Sequence, residues 1–205
     1  MKIFLSGCSG TGKTTLAKYI SARFNIPFIQ GSSKPLWEKH DIASHADIVK
    51  KSILEPTWGY DFQMELLEYR SKLTEDLSSF VTDRSPLDNM VYFLIQNAPF
   101  LNTYNTEEYF KACRDTFPLG FELFFLDIDT EDKMVYENDG NRINNLPYQL
   151  MMNQVFKHTM ETQIHQHKDI YQVKQWNWES RVSIVELLLK EEPKLWQEIK
   201  RMFGR

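Results

Sequence analysis

Residues 2–15 read Lys2-Ile3-Phe4-Leu5-Ser6-Gly7-Cys8-Ser9-Gly10-Thr11-Gly12-Lys13-Thr14-Thr15. A short apolar run of strand character stops at Gly7, and a segment with helix-forming residues begins at Lys13. Between them every fixed position of the pattern G-x-x-x-x-G-K-[ST] is filled, from Gly7 to Thr14. The spacing has a physical reason. Glycines let the backbone curl so that successive N–H groups point inward at phosphate oxygens, and the helix that follows adds the positive end of its dipole. The loop therefore predicts a phosphate cradle made by Gly7, Ser9, Gly10, Thr11 and Gly12. Lys13 reaches the β- and γ-phosphates of ATP, the Thr14 hydroxyl holds Mg²⁺, and Thr15 adds a hydroxyl near the α-phosphate. Cys8, in the variable part of the pattern, reads as a small filler.

Working outward from the loop, strands and helices alternate. The strand at 2–6 and the helix at 13–24 precede a second strand at 28–30, a long helix from Tyr60 to Leu77 and a third strand at 79–82. In the long helix Phe62, Leu66, Tyr69 and Leu73 recur at helical spacing and are expected to face the core. Pro86 opens a helix that runs to Asn97. A helix near 106–116, a clear strand at 121–128, a helix at 148–166, a strand at 170–173 and a helix at 181–190 complete the series. This order predicts an α/β fold, a parallel five-stranded sheet covered by helices on both faces in three layers. The polar stretch 129–146 lacks periodicity and reads as a lid. Pro193 to Arg205 reads as a short amphipathic helix.

The bulk properties agree with one domain spanning 1–205. The chain is 42% hydrophobic and 25% charged, ordinary for a globular protein. Its formal net charge of −4 argues against attachment to nucleic acid by bulk electrostatics. Two cysteines, Cys8 and Cys113, are too few for a disulfide framework and suit a reducing, cytoplasmic setting. No run approaches the roughly 20 apolar residues that span a bilayer, so a soluble protein with no membrane partner is expected.

Further polar residues fall where an acceptor site belongs. Asp83-Arg84-Ser85 directly follows the third strand, and carboxyl ends of parallel strands line the ligand crevice. There Asp83 can activate an acceptor hydroxyl or serve magnesium, and Arg84 can clamp phosphate; the alternative is a helix cap and its ion partner. Gln63 and Arg70 lie two helical turns apart on one stripe, an amide suited to a nucleobase edge and a guanidinium suited to a phosphate or to Asp83. Asp127 closes an apolar strand and competes with Asp83 for magnesium. Asp139-Gly140-Asn141-Arg142 places an arginine in the lid, suited to charge stabilisation at a transferring phosphoryl group. His158, His165 and His167 read as solvated residues rather than metal ligands.

The run from Trp58 to Phe93, with Phe62-Gln63, Arg70, Asp83-Arg84-Ser85, Pro86 and Tyr92-Phe93, resembles the deoxynucleoside kinases. It is also similar to the thymidylate kinases, which carry an Asp-Arg-aromatic motif after the equivalent strand. The Asp139–Arg142 segment resembles the lid of nicotinamide-riboside-kinase-like P-loop proteins, many of them phage-encoded. These resemblances cover most of residues 1–180. They imply a P-loop kinase fold with a lid, and an ATP- and Mg²⁺-dependent transfer to a (deoxy)nucleoside or its monophosphate. Gln63 would contact the base, Arg70 and Arg84 the substrate and its phosphates, and Asp83 would sit beside the acceptor. The chain departs from the pattern twice: Gln30-Gly31-Ser32 stands where a glutamate base is usual, and Arg142 is the sole arginine of the lid. The general base is thus left unassigned.

Other functions stay open at the level of sequence. A kinase acting on polymeric nucleic acid would use the aromatic-rich stretch from Phe93 to Phe110 as a stacking platform. A nucleotide-controlled regulatory module would need only the phosphate loop. The apolar helix near Met90–Ile95 is a candidate homodimer contact.

Overall fold

The computed structural model describes residues 1–97, 103–128, 145–167, 169–174 and 177–190. Along the chain the elements are β1 (Lys2–Ser6), α1 (Lys13–Phe24), β2 (Phe28–Ile29), α2 (Lys34–Lys39), α3 (His45–Leu54), α4 (Pro56–Lys72) and β3 (Phe80–Thr82). They continue with α5 (Pro86–Asn97), α6 (Thr103–Asp115), β4 (Phe121–Leu126), α7 (Leu146–Gln163), β5 (Ile170–Val173) and α8 (Trp178–Lys190). The chain divides into a unit of Met1–Gln172 and a unit of Val173–Arg205. In the second, α8 is preceded by Asn177, whose Oδ1 accepts from Ser180 N at 3.2 Å.

The five strands form one parallel sheet in the order β2-β3-β1-β4-β5, flanked by helices. Lys2 is in register with Phe80 on one side and Phe121 on the other, which puts β1 at the centre. Strands covered on both faces read as continuous apolar runs rather than alternating ones. Ile3 to Leu5 and Leu123 to Leu126 are accordingly all buried. From β1 the chain builds first to one side, through β3 and β2, and later to the other, through β4. The carboxyl ends of β1 and β3 therefore border a topological switch point, where an open α/β sheet holds its ligand.

The five expected strands are all present, with β2, β3 and β4 shorter than expected. The long helix begins earlier, with Pro56 in its first turn, and ends at Lys72, so Leu73 is its C-cap and not part of the stripe. Phe62 and Leu66 form a buried cluster with Leu36, Trp37, Ile42 and Ile48, and Trp58 and Tyr69 pack against it. Full burial of one such side chain contributes about 1.5–3 kcal/mol. That cluster exists because residues 34–54, left without an assigned element in the sequence reading, fold into α2 and α3. Ser44 caps α3: its hydroxyl accepts from Asp47 N at 3.3 Å and is 2.9 Å from Asp47 Oδ2.

Two expectations about surfaces change. Phe93, Tyr109 and Phe110 are buried, with the Phe93 and Tyr109 rings stacked at 4.2 Å, so these residues are core and not a platform for bases. Met90, Val91 and Phe93 are likewise buried within the chain, while Leu94 and Ile95 are half-buried. The face read as a dimer contact is thus largely taken up by intramolecular packing. No described helix is long and apolar enough to cross a membrane. Arg142, most of the expected lid and the helix expected at 193–205 lie outside the described residues.

Candidate functional site

The loop between β1 and α1 takes a shape that side chains resist. Gly7, Gly10 and Gly12 hold φ of +136°, +82° and +82°, and a Cβ on Gly7 would stand 2.7 Å from the Leu126 carbonyl oxygen. Gly12 is the N-cap of α1 and provides no side-chain cap, nor does the first turn carry an acid. The N–H groups of that turn are therefore left to bind an anion, as the dipole favours. Lys13 Nζ donates to the carbonyls of Gly7 and Cys8 at 2.7 and 2.6 Å, closing the loop from within. Burial, with the Arg84 charge nearby, lowers its pKa to about 8. Thr11 Oγ1 donates to the Cys8 carbonyl at 2.9 Å. Burial pushes the Cys8 thiol up to about 12, and its Sγ faces the Gln149 carbonyl at 3.4 Å, so it is the inert filler expected. Thr15 is exposed on the outer side of α1.

Asp83, just beyond β3, meets this loop. Its Oδ2 accepts from Thr14 Oγ1 at 2.6 Å and its Oδ1 from the Gly31 amide at 3.0 Å. Gly31 is irreplaceable by geometry: a Cβ there would come within 2.5 Å of Arg84 Cβ. Its carbonyl accepts from Arg70 Nε at 2.9 Å, and Arg70 Nη1 donates to Asn89 Oδ1. Arg70 thus reaches the strand-end cluster, though its partner is Gly31 rather than Asp83. Burial holds its pKa down at about 10.

Arg84 donates to Asp88 Oδ1 at 3.1 Å, and its guanidinium carbon lies 5.5 Å from the centre of the Tyr92 ring. Burial works against its charge, but Tyr92, Asp88 and Asp83 outweigh burial and raise its pKa. Sequence reasoning missed Asp88, which is fully buried. The available signal was the capping pattern Ser85-x-x-Asp88: Ser85 N donates to Asp88 Oδ2 at 3.0 Å, and Leu87 N donates to Ser85 Oγ at 3.1 Å.

A cavity of about 230 Å³ joins these groups; Ser9, Thr14, Asp83, Arg70 and Arg84 line it. Its lining also includes Trp37, His45, Tyr92 and Tyr148. The His45 ring stacks on Tyr92 at 6.1 Å and meets the edge of Trp37 at 4.9 Å. Trp37 and His45 come from α2 and α3, the helices that were not read from sequence. A smaller cavity of about 30 Å³ lies beside Arg70, Arg84 and Asn89.

Gln63 is not brought onto the cleft wall. It is buried between α4 and α5, where its Nε2 donates to Gln96 Oε1. Gln96 in turn is 3.2 Å from His45 Nδ1, so His45, at the end of this series, faces the cleft where Gln63 was expected. Asp127 also stands apart from the Thr14–Asp83 pair. Asn153 Nδ2 at 2.6 Å, Gln172 Nε2 at 2.5 Å and Lys157 Nζ at 2.9 Å occupy its oxygens. Burial opposes its ionisation, but those hydrogen bonds outweigh burial and lower its pKa. These contacts tie the end of β4 to α7 and β5. His158, His165 and His167 are all exposed, as expected, with the His167 ring 4.9 Å from that of Phe121.

A phosphate loop between a central strand and its helix, on a parallel sheet ordered β2-β3-β1-β4-β5, defines a P-loop kinase fold. The chain belongs to the AAA domain family, whose model matches residues 2–181. No curated protein matches it in sequence. Among solved structures, deoxyadenosine kinase from M. mycoides with bound dCTP superposes with a TM-score of 0.64 at 15% identity, over 92% of this chain and 98% of that one. NadR protein in complex with NR gives 0.54 at 15% identity, over 93% of this chain and 52% of that one. Shikimate kinase from Acinetobacter baumannii in complex with shikimate gives 0.50 at 13% identity, over 94% of each. At such identities the shared property is the fold.

Proposed function

We propose that this protein is an ATP-dependent kinase that transfers the γ-phosphoryl group to a (deoxy)nucleoside or (deoxy)nucleoside monophosphate. The observation that carries the reading is the continuity of one cleft. Ser9, Thr14, Asp83, Arg70 and Arg84 line it together with the rings of Trp37, His45, Tyr92 and Tyr148. Phosphate-binding groups and flat aromatic groups lining one cavity suit a donor triphosphate beside an acceptor that carries a base. The resemblance to deoxynucleoside kinases and the superposition on deoxyadenosine kinase support the same acceptor class.

In this reading the loop amides from Gly7 to Gly12 and Lys13 hold the β- and γ-phosphates, and Thr15 stays near the α-phosphate. Thr14 and Asp83 would hold Mg²⁺. The fit is chemical: a hydroxyl and a carboxylate oxygen already adjacent at 2.6 Å form the hard-oxygen donor set that ion takes. When bound, the ion neutralises charge on the transferring group. Arg84, held between Asp88 and Tyr92, is directed at phosphate, and Arg142 is assigned the same task from the lid. Asp83 keeps Thr14 and Gly31 in place and orients the acceptor beside the loop. Arg70 and the aromatic wall bind the acceptor, with Gln63 acting from behind through Gln96 and His45.

An acceptor screen tests this: labelled ATP with nucleosides, nucleoside monophosphates and oligonucleotides. Label is expected on one nucleoside or nucleotide, with turnover lost and the fold kept in Lys13→Ala. Transfer to no nucleoside or nucleotide overturns it.

A further inference from the structure

Asp88 is the one position in the strand-end cluster where groups from β1, the β3–α5 connection and the arginine of the site converge on a single carboxylate. The residue is fully buried. Its two oxygens are divided between tasks. Oδ2 accepts from Ser6 Oγ, from Ser85 N at 3.0 Å and from Ser85 Oγ at 3.1 Å, and the two hydroxyls are 2.5 Å apart. Oδ1 accepts from Arg84 Nη1 at 3.1 Å. Ser6 is the last residue of β1 and the neighbour of Gly7, where the phosphate loop begins. A helix cap needs one oxygen only. The second oxygen, turned to Arg84, has no capping purpose.

From this geometry we infer that Asp88 is a positioning residue: it locks the phosphate loop to the acceptor-side arginine and supplies the buried negative charge that restrains Arg84. The inference rests on the kinase reading for its effect on turnover, but not for its effect on anion binding. Without a counter-charge, cations gathered for phosphate repel one another and would reach toward any anion in several geometries. Arg84 indeed lowers the pKa of both Lys13 and Arg70, and Asp88 raises both, so its field reaches all three. Arg84 also packs on the Tyr92 ring, and its charged hydrogen-bond partner is Asp88. A guanidinium held in this way meets the transferring group in one orientation, the condition under which electrostatic stabilisation costs no reorganisation.

Asp88→Asn keeps the size and the capping oxygen and removes the charge. A residue that merely supports the fold would, when altered, weaken every ligand. Asp88 predicts opposite signs: inorganic tripolyphosphate binds about fivefold more tightly, because a negative charge has left the site, while kcat falls about 30-fold, because Arg84 is no longer aimed. Calorimetric titration with tripolyphosphate reads the first effect even if no acceptor is known, so failure of the kinase reading and failure of this one are separable. Weaker or unchanged tripolyphosphate binding in the folded variant overturns the inference. If Asp88→Asn does not fold, Ser6→Ala retains the charge and the Arg84 pair but loosens the carboxylate. It is expected to leave tripolyphosphate affinity unchanged and to lower kcat about threefold; a changed affinity with intact kcat would sink the proposal.

Discussion

Thr14 Oγ1 and Asp83 Oδ2 are 2.6 Å apart, although 69 residues separate them in the chain. The contact joins the first turn of α1 to the end of β3 and sets a hydroxyl beside a carboxylate at the mouth of the phosphate loop. Asp83→Asn and Thr14→Val are expected to lower kcat by roughly 10²–10³-fold and to raise the Mg²⁺ concentration needed for half-maximal rate. Asp127→Asn, which alters the tie between β4 and α7, should leave the Mg²⁺ dependence as it is. Steady-state rates across a magnesium titration decide between the two carboxylates.

Lys13 links activity to pH. Its pKa is lowered to about 8, so in the free protein the ammonium is lost as pH rises through that value. Phosphate binding needs the charged form. ATP affinity is therefore expected to be full below about pH 7 and to fall up to tenfold per unit above about pH 8. Titration of ATP at several pH values checks the slope. Lys13→Met should bind ATP weakly with no such slope.

Gly31 has no room for a side chain, because a Cβ would lie 2.5 Å from Arg84 Cβ and 2.8 Å from its Cγ. Gly31→Ala is expected to cost about 1–3 kcal/mol by overpacking and to displace Arg84 from the cleft. Denaturant unfolding measures the first effect. An increase in acceptor KM larger than that in ATP KM measures the second.

His45 and Trp37 form part of the aromatic wall rather than the phosphate cradle. His45→Ala and Trp37→Ala should raise acceptor KM about tenfold, as loss of one stacking or hydrogen-bonding contact does, with ATP KM nearly constant. An equal rise in both constants would argue that these residues serve the fold alone.

Glu122 supplies a prediction about stability. Burial, together with Asp169, raises its carboxyl pKa from 4.5 to about 7, and its Oε2 has no hydrogen-bond partner among the described residues. Because the folded pKa lies above the unfolded one, its contribution is most favourable below pH 4.5 and is lost as pH rises to about 7. Glu122→Gln is expected to raise Tm by about 3 °C at pH 8 and to have little effect near pH 4.5. Thermal melts at both pH values test the sign.

Residues 7–14 and the alternation of strands with helices were enough to assign the α/β fold, because a phosphate loop and a buried parallel strand are local patterns with local causes. Lys13 and Thr14, which close the phosphate-loop pattern, and Asp83 and Arg84, which directly follow β3, could be named for the same reason. Local sequence did not determine what each of these touches. Asp88 was hidden because its significance lies in Ser6, 82 residues away, and Gln63 was misplaced because a helical stripe tells which way a side chain points but not which helix covers it. The packing of α5 against α4 buries Gln63, while α2 and α3 present Trp37 and His45 to the cleft instead. The phosphate end of the site is thus written in contiguous residues, whereas its aromatic wall depends on contacts between segments far apart in the chain, which only the folded core brings together.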